Sequence, residues 1–459
     1  MRYDIIIVGS GPGGYVAAIR AAQLGAKVTV IEKDRLGGTC LNVGCIPTKA
    51  MLASSGVLDT ALEAGKFGVT ISGEIGLDFP AVMARKDKVV EQLVQGIEML
   101  FAARGVSVLR GTGTVMPGGS ISVALNDGGE ETLCPDKIIL ATGSLPVVPA
   151  MFPYDGEKII TSDEALYLEQ APKSLIIVGG GVIGCELGQF FAKAGTAVSI
   201  VEAMPHILPS EDKDVASALA RSFRKNKINV STGQKVVRCQ IVDGAVQVEL
   251  ENGKIMEAEK LLVCIGRKPN TAFLPLDELG IEHKNGKILV DEHMQTACPN
   301  IYAIGDIVDS AMLAHVASQE GLVAVEHMFG KDRSISYRGV PRCVYTTPEV
   351  AGVGMTEQQL QAKGIAYRAG VFHFMGLGKA KAAGKTDGFV KVLADENDVI
   401  VGGCVVGEHA TELLAELTLA VELQLTAEQV GRVIHPHPTM CEALMEALHQ
   451  IHGACVHAL

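Results

Sequence analysis

Residues 5–8 are four apolar residues in a row, followed by glycines, an alanine-rich stretch of helical length, another glycine and a second apolar run ending in Glu32. That pattern predicts strand, tight turn, helix and strand, a βαβ unit. It returns further along the chain. IIIVGSGPGGYVAAIRAAQLGAKVTVIE (5–32) aligns without a gap on LIIVGGGVIGCELGQFFAKAGTAVSIVE (175–202), at an offset of 170 and with ten identities. Each unit has a later echo, KIILATGSLP (137–146) and KLLVCIGRKP (260–269), an apolar strand followed by a glycine turn. Short alternating stretches, with turn residues at Pro117-Gly118-Gly119 and Asn252-Gly253, precede the echoes and predict inserted β-meanders. IYAIGD (301–306) is a further strand running into glycine. Beyond about 339, strands at 389–393 and 400–406 alternate with helices at 411–423 and 440–452. The expected fold is α/β: two Rossmann-like dinucleotide domains with inserted β-meanders (1–147 and 148–270), a central segment (271–338) and a C-terminal α+β domain (339–459).

The 459 residues suit about three or four domains. A formal net charge of −12 argues against a protein that binds nucleic acid by neutralising phosphates. The 48% apolar content provides for large cores. The 52 glycines exceed the usual share of about 7% of residues and show no Gly-X-Y period. Eleven cysteines, an odd number with scattered spacing, argue against a secreted disulfide scaffold. No apolar run reaches membrane-spanning length, and no signal-peptide core precedes the first predicted strand. A soluble, cytoplasmic protein that does not engage membrane is expected.

Gly9-x-Gly11-x-x-Gly14 and Gly179-x-Gly181-x-x-Gly184 both match the dinucleotide fingerprint. The first glycine makes the turn, the second lets backbone approach a pyrophosphate, and the third lets the helix pack on the strand. The helix N-terminus then faces the pyrophosphate. About 20 residues on, Glu32 and Glu202 stand where a ribose hydroxyl is held. Residues 203–209 contain no Lys or Arg, which favours NAD over its 2′-phosphorylated relative at the second site. Gly384-Lys385-Thr386 resembles the end of a phosphate loop, but Lys379 stands where that motif needs glycine.

Cys40 and Cys45 follow the first unit. An undistorted helix would separate them by roughly 7.5 Å of rise, at 1.5 Å per residue. A disulfide needs Cα atoms within about 7 Å. The pair can close only where the helix is distorted, which Gly44 and Asn42 permit, and Pro47 is tolerated in the first turn of a following helix. Two structural thiols remain the alternative on spacing alone.

The segment Gly37-Gly38-Thr39-Cys40-Leu41-Asn42-Val43-Gly44-Cys45-Ile46-Pro47-Thr48-Lys49 closely resembles the active-site segment of the pyridine nucleotide–disulfide oxidoreductases. The resemblance extends over essentially the whole chain, through Ala141-Thr142-Gly143, TACPNIYAIGD (296–306), Gly266-Arg267-Lys268-Pro269-Asn270 and His435-Pro-His437-Pro-Thr-Met-Cys-Glu442. It implies a redox disulfide between Cys40 and Cys45. FAD would occupy the first site, with Gly9, Gly11, Gly14, Glu32, Lys49, Thr142, Gly143 and Asp306, and 271–338 would complete that domain. NAD would occupy the second, with Gly179, Gly181, Gly184, Glu202 and Gly266. Lys49 would pair with Glu186 near the flavin. His437, oriented by Glu442, would be the base that deprotonates a dithiol substrate, and His435 reads as structural. The resemblance further implies a homodimer in which the partner subunit supplies the base.

Among family members, the motifs come closest to those that oxidise dihydrolipoyl groups with NAD⁺. Because its first predicted strand starts almost at Met1, the chain is expected to carry no lipoyl domain of its own. The expected partner is therefore the lipoyl domain of a 2-oxo acid dehydrogenase complex or of a glycine cleavage system. Mercuric reductases deliver metal with adjacent C-terminal cysteines, whereas Cys441 and Cys455 are 14 apart. Glutathione-type reductases are disfavoured by the NAD-like second unit. Retention of Cys40, Cys45, Lys49, Glu186, His437 and Glu442 together argues against a non-catalytic scaffold. The tail pattern of His449, His452, Cys455 and His457 reads as incidental, and no metal site is expected.

Overall fold

A computed structural model describes residues 4–457; the first three and last two residues of the outer predicted segments lie outside the described residues. The first sheet has seven strands, in the order Ile301–Ala303, Lys137–Leu140, Asp4–Val8, Lys27–Glu32, Ser107–Val115, Ile121–Leu125, Glu130–Leu133. Its first five strands run parallel, and Ile5, Ile6, Ile7 and Val8 are all buried, as strands covered on both faces must be. Strand Ser107–Val115 does double duty. Its first half pairs parallel with Lys27–Glu32 and its second half antiparallel with Ile121–Leu125. The first predicted meander is thus an extension of the main sheet. The second, Val236–Val242, Ala245–Leu250 and Ile255–Ala258, is a sheet of its own.

The second parallel sheet runs Asn229–Thr232, Ala197–Glu202, Ser174–Val178, Lys260–Val263, Ile159–Ile160. In both units the strand after the meander returns beside the first strand, so both glycine loops emerge between the same pair of neighbours. Helices Pro12–Gln23 and Ala314–Met328 approach closely in the first unit: a Cβ on Gly321 would lie 2.7 Å from the Gly13 carbonyl oxygen. The 271–338 segment therefore contributes both an edge strand and a packed helix to the first sheet.

The C-terminal sheet is antiparallel, in the order Arg342–Val344, Glu349–Gly354, Ile400–Gly407, Phe389–Asp395, Tyr367–His373. Helices Ala410–Glu422 and Glu442–Ile451 cover it, their ends within two residues of the expected ones. The pattern did not reveal the long helix Phe79–Arg104, whose N-terminus is capped by Asp78. Between the second sheet's domain and the C-terminal sheet lies Lys391, with a side chain 2% exposed. Its Nζ sits 3.0 Å from Asp212, 2.7 Å from Asp214 and 2.5 Å from Glu357. The ammonium fills the centre of this carboxylate cluster and ties the two domains together.

Candidate redox and dinucleotide site

The glycine loops are built alike. A Cβ on Gly14 would meet the Gly9 carbonyl oxygen at 2.0 Å, and one on Gly184 would meet that of Gly179 at the same distance. Gly9 and Gly179 have φ of +101° and +112° and also press against carbonyl oxygens of the neighbouring strand ends, at Ala141 and Cys264. The middle glycines differ: a Cβ on Gly11 or Gly181 would meet nothing within 4 Å. These two are the N-caps of helices Pro12–Gln23 and Val182–Lys193, and neither helix has a side-chain cap. Each loop therefore offers open space in front of uncapped backbone N–H groups, which fits a pyrophosphate. Gly14→Ala is expected to weaken flavin binding by roughly fivefold to 150-fold, because overpacking of about 1–3 kcal/mol would open the loop. The flavin absorbance per protein after purification checks it.

Glu32 and Glu202 are buried. Glu32 accepts hydrogen bonds from Ser10 N (2.9 Å), Ser10 Oγ (2.6 Å) and Asp34 N (2.9 Å). Glu202 accepts from Gly180 N (2.6 Å) and Met204 N (2.7 Å). Each acid ties its glycine loop to the end of the second strand. A carboxylate has about four acceptor positions, so capacity for a ribose hydroxyl remains on both.

The cysteine segment is two helices with a break between them. Gly38–Asn42 ends, and a new helix, Cys45–Glu63, starts at the second cysteine. A Cβ on Gly44 would lie 2.8 Å from the Thr39 carbonyl oxygen and 3.4 Å from the Cys40 Cα, so only glycine lets the chain double back here. Asn42 fastens the break by donating from Nδ2 to the carbonyls of Leu36 and Gly38, and Tyr167 donates to the Asn42 carbonyl. Cys40 and Cys45 are free thiols that hydrogen-bond to each other. That bond, followed by the Lys49 charge, holds the Cys45 thiol below its ordinary value, against burial and Glu186. The same bond, burial and the Cys45 charge push Cys40 up. Of the two thiols, Cys45 is therefore the one that ionises more readily and Cys40 the one that holds its proton longer.

Lys49 is one helical turn beyond Cys45. Its Nζ lies 2.7 Å from Oε2 of Glu186, whose side chain is 3% exposed, and 4.7 Å from the Tyr345 ring centroid. Helix Val182–Lys193 lies alongside Cys45–Glu63, and a second ion pair, Lys193–Asp59, joins them farther along. Asp306 accepts from Ser144 Oγ, and Ser144 accepts from Arg267 Nε at 2.7 Å. Gly305 N donates to the fully buried Glu320 at 2.6 Å. Thr142 Oγ1 donates to the Asn270 carbonyl, and Asn270 N to the Gly143 carbonyl. The strand ends carrying Gly143 and Gly266 are thereby laced together.

His437 lies far along the chain. Its Nδ1 is 2.8 Å from Oε1 of Glu442, and Thr439 N donates to the other oxygen. Burial works against the Glu442 charge, but bonds from His437 and Thr439 outweigh it and hold the carboxyl below its usual range. The His437 side chain is 76% exposed.

Residues 3–321 match the family model described as pyridine nucleotide-disulphide oxidoreductase, and residues 340–448 match the dimerisation domain of the same family. The chain belongs to the pyridine nucleotide-disulphide oxidoreductase family. Among curated relatives, a dihydrolipoyl dehydrogenase of Bacillus subtilis is 43% identical over 471 residues, covering 99% of both chains. A mitochondrial dihydrolipoyl dehydrogenase of Arabidopsis thaliana is 42% identical, over 99% of this chain and 91% of its own. The solved structure of LpdA from Mycobacterium tuberculosis superposes with a TM-score of 0.91 at 29% identity, covering 98% of this chain and 99% of its own.

Within this family framework, the structure brings together Cys40, Cys45, Lys49 and Glu186. Among the described residues it leaves the His437–Glu442 pair without a link to them. That pair stands on the dimerisation domain beside an apolar surface that includes Ile434, 95% exposed, and Val433. The His435 side chain is buried against Glu416. The tail residues part company: His449 faces the Gly431 carbonyl, His452 faces Asp398, and Cys455 and His457 both bond Glu446. Sequence reasoning missed Tyr345, Ser144 and Glu320. Each acts through a contact between remote segments, and no local motif announces it.

Proposed function

We propose that this chain oxidises protein-bound dihydrolipoyl groups with NAD⁺, using FAD, as a cytoplasmic homodimer. The observation that carries the reading is Cys40 and Cys45 brought together by the chain break at Gly44, with the Lys49–Glu186 ion pair beside them and two glycine loops open for dinucleotides. Residues 1–147 and 271–338 hold FAD, 148–270 hold NAD, and 339–459 form the dimer face. The acidic end of the second loop and the absence of cations over 203–209 support NAD. No helix among the described residues is long and apolar enough to cross a membrane.

The enzyme starts with Cys40 and Cys45 oxidised to a disulfide. His437 of the partner subunit takes the proton of the first substrate thiol at Nε2, while Glu442 holds Nδ1 and balances the imidazolium charge. The substrate thiolate attacks Cys40 Sγ. The Cys40–Cys45 bond breaks and Cys45 leaves as thiolate, stabilised by Lys49. The second substrate thiol, deprotonated in turn, attacks the substrate sulfur of the mixed disulfide. The cyclic disulfide departs and Cys40 takes a proton. FAD, which Gly9, Gly11, Gly14, Glu32 and Asp306 would hold, would supply the two-electron chemistry that links the dithiol to NAD⁺.

The direct test is anaerobic mixing of the FAD enzyme with dihydrolipoamide, then with NAD⁺. The expected result is long-wavelength absorbance of a thiolate against flavin, then one NADH per dithiol. No spectral change on adding the dithiol would overturn the reading.

A further inference from the structure

Resting on that dithiol reading, we propose that Tyr345 is a positioning residue: its ring and backbone amide, delivered by the C-terminal domain, hold the Lys49–Glu186 pair in register with Cys45. A lysine at the fourth position after Cys45 lies on the same helix face. Its stem is flexible, and Glu186 is its one carboxylate partner among the described residues. Tyr345 supplies two further restraints. The ring lies under Nζ at 4.7 Å, a cation–π contact. Its backbone N donates to Glu186 Oε1 at 2.9 Å, while Oε2 of the same carboxylate takes Lys49. One residue thus orients the anion and covers the cation.

Tyr345 is able to do this because the segment that carries it, just past the strand Arg342–Val344, is anchored on both sides. Arg342 Nε donates to Glu211 at 2.9 Å, and Thr347 N donates to Gln189 at 2.7 Å, one turn beyond Glu186 on the same helix. On this chain the titratable groups around the dithiol and Tyr345 are Tyr15, Cys40, Lys49, Glu186, Cys343, Glu349 and Glu412, and in the proposed dimer His437 of the partner subunit, held by Glu442 of the partner subunit, faces the dithiol as well. Lys49 is the cation that this chain itself supplies, and it is the one that lowers Cys45. Burial, with Cys343, Glu186, Glu349 and Glu412, pushes the Tyr345 phenol up to about 12, so the ring stays neutral. If Lys49 loses its fixed place, the Cys45 thiolate loses its nearest cation and forms only at higher pH.

The test reduces the FAD enzyme anaerobically with one dithiol equivalent and follows the thiolate–flavin absorbance against pH. Tyr345→Leu is expected to raise the midpoint by about half to one pH unit, a threefold to tenfold change in the ionisation constant. Tyr345→Phe keeps the ring and stays at the wild-type midpoint. Lys49→Met raises the midpoint at least as far, and adding Tyr345→Leu to it changes nothing more, because the ring acts through the lysine. Both Tyr345 variants retain the backbone N–H, and the side chain is 37% exposed, so flavin content should be normal. Tyr345→Met replaces the leucine variant should that one not hold flavin. A wild-type midpoint in Tyr345→Leu overturns the proposal, as does an undiminished further shift in the Lys49→Met background. A Tyr345→Phe shift as large as that of Tyr345→Leu overturns it too. Absence of the band in wild type itself overturns the dithiol reading, and with it this inference.

Discussion

Cys45→Ser is expected to lower dihydrolipoamide oxidation by at least about 10³-fold while leaving flavin content unchanged. A serine is close in size to the thiol at this first residue of the helix. It cannot form the disulfide that the substrate attacks, and its hydroxyl does not ionise under Lys49. The electron path from Cys40 is cut at its second atom. Steady-state turnover with dihydrolipoamide and NAD⁺ measures the loss. NADH-driven reduction of a dye that takes electrons from flavin should continue, because that half-reaction does not use the dithiol. Wild-type turnover in Cys45→Ser would remove the cysteine pair from the mechanism.

His437→Gln is expected to lower the same turnover by about 10²–10⁴-fold, the usual contribution of a positioned base. Glutamine can still bond Glu442 but cannot accept and carry the substrate proton. The single chain has His437 exposed and unlinked to its own Cys40, so the stronger test concerns which subunit provides it. Mixing Cys45→Ser with His437→Gln subunits makes about half the dimers hybrid, each with one site carrying both changes and one site carrying neither. Recovery to about a quarter of wild-type activity is expected if the base crosses the interface. If His437 served its own subunit, both sites of every hybrid would stay inactive and mixing would recover nothing. The Ile434 and Val433 side chains, which a partner would cover, stand next to the base on the same loop.

Much of this was written in local pattern. The two βαβ units, their glycine loops and the paired acids follow from apolar runs and glycine spacing. Each feature is closed within about 30 residues, so sequence neighbours are spatial neighbours. Gly44 was legible for the same reason: the clash it avoids, with Thr39 and Cys40, is four to five residues back. The helix Phe79–Arg104 was not legible. Its buried residues, among them Val90, Val94, Ile97 and Phe101, follow a helical spacing, but the exposed Leu93, Met99 and Leu100 blur it.

The sequence by itself determined the repeat, the two nucleotide loops and the position of the cysteine pair, because sterics of one turn or one strand decide those. Tertiary structure alone decided how the charges around the pair are held. Lys49, Glu186 and Tyr345 come from three separate segments, and Lys391 finds Asp212 and Asp214 across a domain boundary and Glu357 on another element of its own domain. Such contacts depend on how whole sheets and helices pack, and a lysine or tyrosine read in the chain carries no mark of the partner it will meet.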